Sequence, residues 1–416
     1  MNNLIKINLN YLKNSESFFY NQAISKQIKN LLKKEKLIVL KSISTINKTS
    51  YINLNLNNLN NNIFYFNKNL DFQNLIKDKA DLIKLIKEFT LLKNKPNIIV
   101  LEEVDCIKNI KSFIAEFYKA GYKLIIIDNN IKIPSKPEIE IKNPSYKQLK
   151  NKIENLSLNN LLLFGDNENI ILLNNKALKI NLLESQKNQI LLNDLIKNYS
   201  IKNYNLLSYT ITFLSFLNKK ISLREIHREL KENIKISLVT LIEYIDFLVN
   251  SKLVKKIYSY DFKKQKTIKS KAFYYFSDLW IRNNLNYFST KKSTAIKNLI
   301  FNELDKQWFK IKSGINWKFE FDFYAKKKEF LEEKNTKKIN KLYIHLSKAN
   351  DKKELKKEIN KLNKVPYYPT LSKSGENIDE TISRYLIVEN IKEFWIKKLQ
   401  YDEVKIVEIK DFLVNL

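Results

Sequence analysis

Short, densely apolar runs alternate along the chain with amphipathic stretches. Leu37-Ile38-Val39-Leu40, Ile98-Ile99-Val100-Leu101 and Leu124-Ile125-Ile126-Ile127 are continuous runs of leucine and β-branched residues at strand length. Such runs predict strands covered on both faces, the habit of parallel sheets. Between them, Ile76, Leu82, Leu85, Ile86 and Phe89 recur at helical spacing and predict a helix over 75–92, and a second helix is predicted over 110–119 with Gly121 as its cap. Residues 51–56 alternate apolar and polar as a half-buried strand does. Strands alternating with helices imply a parallel α/β sheet, whose ligands bind at the carboxyl ends of its strands.

Pro134, Pro137 and Pro144 close this unit, and 146–199 reads as mostly helical. Leu206, Leu207, Ile211, Leu214 and Leu217 then form one helical stripe. Ser222 caps a second helix through Lys231, a third covers 237–250, and strands are predicted at 253–260 and 271–276 around a lysine-rich loop. Three helices and a basic hairpin make a winged helix-turn-helix. The remainder predicts a helix over 296–304, strands at 317–325, 342–346 and 385–388, and a helix over 352–362. The expected partition is a sheet domain at 1–145, a helical lid or linker at 146–203, a winged helix at 204–288 and a C-terminal α/β domain at 289–416.

With 416 residues, 44% of them apolar, the chain can bury several cores. The single cysteine, Cys106, excludes an intrachain disulfide framework and suits a reducing compartment. The apolar runs are too short for a membrane helix, and the start lacks the apolar segment of a secretory signal, so no membrane and a cytoplasmic location are expected. A net charge of +30 favours a polyanionic partner such as DNA. Nearly all of that charge is lysine, with arginine only at 224, 228, 282 and 384 and glycine only at 121, 165, 314 and 375. Such a composition is what A/T-rich codons would leave, and on that hypothesis part of the charge needs no partner.

The candidate chemistry begins where the first apolar run ends. On the pattern G-x-x-x-x-G-K-[ST], Ser42, Asn47, Lys48 and Thr49 occupy the defining positions, followed by Ser50. The two matches are chemical: the lysine reaches the β/γ-phosphates of a nucleotide and the threonine hydroxyl holds Mg²⁺. The two missing glycines would have allowed the backbone close approach to phosphate.

In order, these pieces resemble a family of prokaryotic AAA-like P-loop ATPases that join an ATPase core to a winged helix and a restriction-endonuclease-like tail. The likeness rests on Ile221-Ser222-Leu223, on 237–245, on Phe273-Tyr274-Tyr275-Phe276-Ser277-Asp278-Leu279-Trp280-Ile281-Arg282-Asn283, and on Phe319-Glu320-Phe321-Asp322-Phe323. It implies ATP and Mg²⁺ as cofactors. Asn47, Lys48, Thr49 and Ser50 would bind the nucleotide, Thr49 and Glu102 the metal, Glu103 would orient water, and Asn129 (or Asn130) would sense the γ-phosphate. The chain departs from the family at Glu102, where an Asp is usual, and no arginine precedes Arg224 to act as a finger. In the winged helix, Arg224, Arg228, Lys263, Lys264 and Lys266 are the candidate DNA contacts, although Glu243 and Asp246 lie on the third helix, where carboxylates oppose phosphates. In the tail, Glu303 and Asp322 stand where nuclease metal ligands would. His345-Leu346-Ser347 replaces the third element, so these two read as remnants or surface carboxylates, His345 as structural and His227 as a solvent-facing helix residue. The expectation is an ATP-binding regulatory protein, ATP-hydrolysing or not, that acts on DNA, a protein partner or its own copies. The rival is a pseudo-ATPase scaffold that keeps the fold for shape.

Overall fold

The computed structural model describes residues 1–14, 22–41, 53, 62–197, 199, 201, 203–331, 336–369, 377–391, 400–401 and 403–416. They form two compact units, Met1–Pro144 with Asn188–Ser200, and Ser145–Lys187 with Ile201–Leu416. The segment expected as a lid or linker is thus divided between the two.

The first unit is built on β1 (Leu37–Lys41), β2 (Ile63–Asn67), β3 (Ile98–Glu102), β4 (Lys123–Ile127) and β5 (Glu138–Glu140), all parallel, in the order β2-β3-β4-β1-β5. Alternation sends Leu37 and Val39 to one face and Ile38 and Leu40 to the other. The first face packs with Ile99, Leu101, Leu124 and Ile126 against helices Asn2–Asn14, Lys79–Lys93 and Ile110–Lys119. The second packs with Val100, Ile125 and Ile127 against Ile28 and Leu32 of helix Gln22–Lys34. Cover on both faces is why these strands are unbroken apolar runs. The helix expected from 75 starts instead at Lys79, because Asp78 caps it by accepting from the Asp81 amide. The strand expected at 51–56 lies outside the described residues except for Asn53. β2 was not foreseen.

The second unit carries an eight-stranded mixed sheet of β6 (Val254–Asp261), β7 (Lys266–Phe276), β8 (Lys310–Asn316), β9 (Phe319–Leu331), β10 (Thr336–Leu346), β11 (Asn377–Val388), β12 (Gln400–Tyr401) and β13 (Val404–Glu408), in the order β12-β13-β11-β10-β9-β8-β6-β7. Helices Tyr204–Phe216, Leu223–Lys231 and Leu238–Asn250 precede the β6–β7 hairpin, and Ile221 bridges to Ala272 of β7. These are the parts of a winged helix. The hairpin does not stand apart, since β6 pairs in parallel with β8 through Ser259↔Ser313, Tyr260↔Gly314 and Asp261↔Ile315. Wing and C-terminal strands share one sheet. Gly314 is required there, because a Cβ would meet the Phe321 ring at 1.9 Å.

Candidate functional site

The parallel sheet brings several of the expected residues to one edge. β1 ends in Lys41, β3 in Glu102 followed by Glu103, and β4 in Ile127 followed by Asp128 and Asn129. Parallel strands end on the same side, so all these groups gather at the carboxyl edge. Asn47, Lys48, Thr49 and Ser50 follow β1 in sequence and lie outside the described residues.

Glu102 projects on the face of Val100 and is buried. Its Oε2 accepts from the Tyr65 hydroxyl at 2.6 Å, a diagonal neighbour on β2, and Asn67 donates to that same hydroxyl oxygen at 3.3 Å. Glu103 turns the chain out of the sheet at φ +53°, while its amide donates to the Ile127 carbonyl at 3.0 Å. Asp128, which the sequence did not single out, is the most buried carboxylate of the edge. Its Oδ2 accepts from the Asp105 amide at 2.9 Å, and its Oδ1 from the amides of Asn130 at 2.8 Å and Ile131 at 3.2 Å. Burial, with the charges of Asp105 and Glu103, pushes its carboxyl up to about 7 against the hold of those amides. Asn129 is half-buried; the neighbouring Asn130 donates to Asp105 Oδ2 at 2.8 Å. Lys41 is taken up by Glu138 at 2.7 Å.

The described edge is therefore rich in carboxylates, and an anionic phosphate comes to it only with cations from elsewhere. Among the described residues no group of three or more His, Cys, Asp or Glu is placed to hold a metal ion. An ion on Glu102 would share its carboxylate with the Tyr65 proton. The described donor set does not fit Mg²⁺ as it stands.

In the second unit, Arg224 and Arg228 are exposed and lie one turn apart on helix Leu223–Lys231. Lys263, Lys264 and Lys266 are exposed at the tip of the wing. Helix Leu238–Asn250 buries Leu241, Tyr244, Ile245 and Leu248, which turns Val239, Glu243 and Asp246 outward with no lysine or arginine along its length. His227 does not face solvent. It is half-buried, and its Nε2 donates to the Ile236 carbonyl at 3.0 Å.

The tail separates the two carboxylates that the sequence paired. Glu303 is buried, accepting from the Tyr146 amide at 2.8 Å and from Lys306 at 2.7 Å, and Lys306 also binds Asp166. Burial and the Asp166 charge hold the neighbouring Asp278 carboxyl well above its usual range. Asp322 binds Lys297 at 2.5 Å, His345 Nδ1 at 3.0 Å and the Leu346 amide at 2.8 Å, contacts that draw its carboxyl well below the ordinary range although burial opposes them. Neither is a surface carboxylate: each is consumed in its own ion-pair network, and His345 is structural as expected.

The run 273–283 has a role the sequence did not disclose. Arg282 is buried and donates to the Ser215 carbonyl at 2.9 Å and to the Leu217 carbonyl; Asn283 donates to the carbonyls of Leu162 and Leu163 at 2.7 and 2.8 Å. These residues close the ends of helices Tyr204–Phe216 and Leu158–Phe164. The run is a clasp. The polar residues within an otherwise apolar segment were the available signal.

No protein-family profile matches the chain, and no curated protein matches it. Among solved structures it is similar to the Walker-type ATPase PABY2304 of Pyrococcus abyssi, at 13% identity and a TM-score of 0.47 over 64% of this chain and 96% of that one. It is also similar to the Orc1 protein of Aeropyrum pernix in complex with DNA, at 15% identity and a TM-score of 0.31 over 65% of this chain and 93% of that one. At these identities and scores neither match carries any residue's role over to this chain. No helix among the described residues is long and apolar enough to cross a membrane.

Proposed function

We propose that the first unit binds ATP at the carboxyl edge of its parallel sheet, and that the chain is a nucleotide-binding regulatory protein whose second unit engages DNA or a protein partner. The observation that carries this is the strand order. β1 lies inside the sheet between β4 and β5, so the segment that leaves it with Lys48 and Thr49 starts on the edge where β3 delivers Glu102 and Glu103 and β4 delivers Asp128 and Asn129. In this reading Lys48, with Asn47 and Ser50, holds the phosphates, and its cation offsets the acidic edge. Asn129 is within the group that would meet the terminal phosphate.

Glu102, the metal-side carboxylate, is occupied by Tyr65, and this observation favours a second reading in which the site binds nucleotide as a switch and does not turn it over. The test is titration with a fluorescent ATP analogue, with and without Mg²⁺, on the wild type and on Lys48→Ala. Binding that weakens at least about tenfold in Lys48→Ala supports the site; equal binding by both proteins, or none at millimolar nucleotide, sinks it. Phosphate release that appears in Tyr65→Phe and is lost on adding Glu103→Gln would show that freeing Glu102 restores hydrolysis.

A further inference from the structure

Trp317 stands at a position that its fold gives no reason to fill with tryptophan. β8 and β9 are joined by a two-residue turn, Trp317-Lys318, closed by the Asn316↔Phe319 pair. Trp317 adopts φ +56° there. Lys318, the second turn residue, has no positive φ, and in such a two-residue hairpin the first position belongs to Gly and costs another residue about 1–2 kcal/mol. The side chain gains no core in return, for it is 71% exposed. Strain at an exposed aromatic points to use by a ligand.

Its neighbours indicate which ligand. Because β6 and β8 run parallel and in register through Asp261↔Ile315, they leave the sheet at the same end, and the Phe262 amide donates to the Ile315 carbonyl at 2.9 Å. The wing turn and the Trp317 turn are therefore side by side. Lys263 lies 3.6 Å from the centre of the Trp317 ring. Lys264, Lys266 and Lys318 are exposed beside it; of the carboxylates at this end, Glu320 is paired with Lys220, and Asp261 is buried and accepts from the Lys264 amide. An exposed indole that carries one ammonium on its ring and has further exposed ammonium groups beside it is the chemistry of single-stranded nucleic-acid binding, with bases stacked on the aromatic and phosphates on the lysines. The outward face of helix Leu238–Asn250, with Glu243 and Asp246, is by contrast hostile to a duplex backbone.

We propose that the wing tip and the Trp317 turn form one contact for single-stranded nucleic acid, with Trp317, steadied by Lys263 on its ring, as the base-stacking platform and Lys264, Lys266 and Lys318 on the phosphates. This rests on the nucleic-acid part of the reading above and is independent of nucleotide binding. The test is fluorescence anisotropy of the full chain with a labelled oligothymidylate and with a duplex of equal length. Trp317→Phe should retain binding, while Trp317→Gly should weaken it about tenfold or more. Gly suits a first turn position at φ +56°, so thermal unfolding of Trp317→Gly should occur at or above the wild-type temperature, which separates a binding role from a folding one. Lys264→Ala with Lys266→Ala should flatten the slope of log K against log salt by about 1.4, two phosphate contacts at about 0.7 each. Duplex binding alone, or Trp317→Gly binding as the wild type does, overturns this inference and leaves nucleic-acid binding standing. Binding of neither probe by the wild type removes both.

Discussion

Asp128 shows how one carboxyl can set a pH response. Its folded-state value of about 7 lies above the ordinary 3.8, so the folded unit holds a proton that the unfolded chain has released. Stability contributed below pH 3.8 is therefore lost as pH rises toward 7, by at most about 4 kcal/mol, and is level above that window. Denaturant unfolding from pH 4 to 8 should show this fall in the wild type and a flatter profile in Asp128→Asn. Lys306 is a buried cation shared by Asp166 and Glu303. Lys306→Met strands those carboxyls and should cost about 3–5 kcal/mol of stability in the second unit, measured by denaturant unfolding. Gly165 has φ +69°, and a Cβ there would meet Asp278 Oδ1 at 2.1 Å. Gly165→Ala should destabilise by about 2 kcal/mol or more, through a strained backbone and a steric clash. In a chain with four glycines, this one is held by geometry.

Among the elements, those with an internal period or a cap were legible. Ser222 accepts from the Glu225 amide at 3.2 Å while Glu225 accepts from the Ser222 amide at 2.8 Å, a capping box written in Ser222-Leu223-Arg224-Glu225. Ser222→Ala should lower stability by about 1 kcal/mol, seen as an earlier thermal transition. β2, Ile-Phe-Tyr-Phe-Asn, has the aromatic and β-branched residues of a strand and is obscured only by the asparagine-rich stretch before it. Other strands have residues that do not advertise them. β8 carries two lysines, a serine and a glycine, and becomes a strand because β6 and β9 pair with it. β7 extends to Lys266, through residues that read as loop, because β6 is long enough to pair with them. Cross-strand partners overrode local composition.

For the whole molecule, the shared sheet of wing and tail has a consequence for cutting the chain. Ending it at the boundary expected at 288 strips β8 from β6 and leaves an open strand edge. That fragment should associate, as light scattering after gel filtration would detect, whereas the full chain, in which β8 covers the β6 edge, should be less prone to do so. The sequence by itself determined the parallel α/β character of the first unit, the three helices and hairpin of the second, and the Ser222 cap. Each of these depends on residues close together along the chain, where periodicity and local hydrogen bonding act. Only the tertiary structure decided that Glu102 is tied to Tyr65, that Glu303 and Asp322 belong to separate networks, and that the wing is continuous with the tail. These outcomes depend on partners distant in sequence, as Glu303 depends on the Tyr146 amide 157 residues away. Burial and pairing set the state of a carboxyl, and neither can be read from its neighbours in the chain.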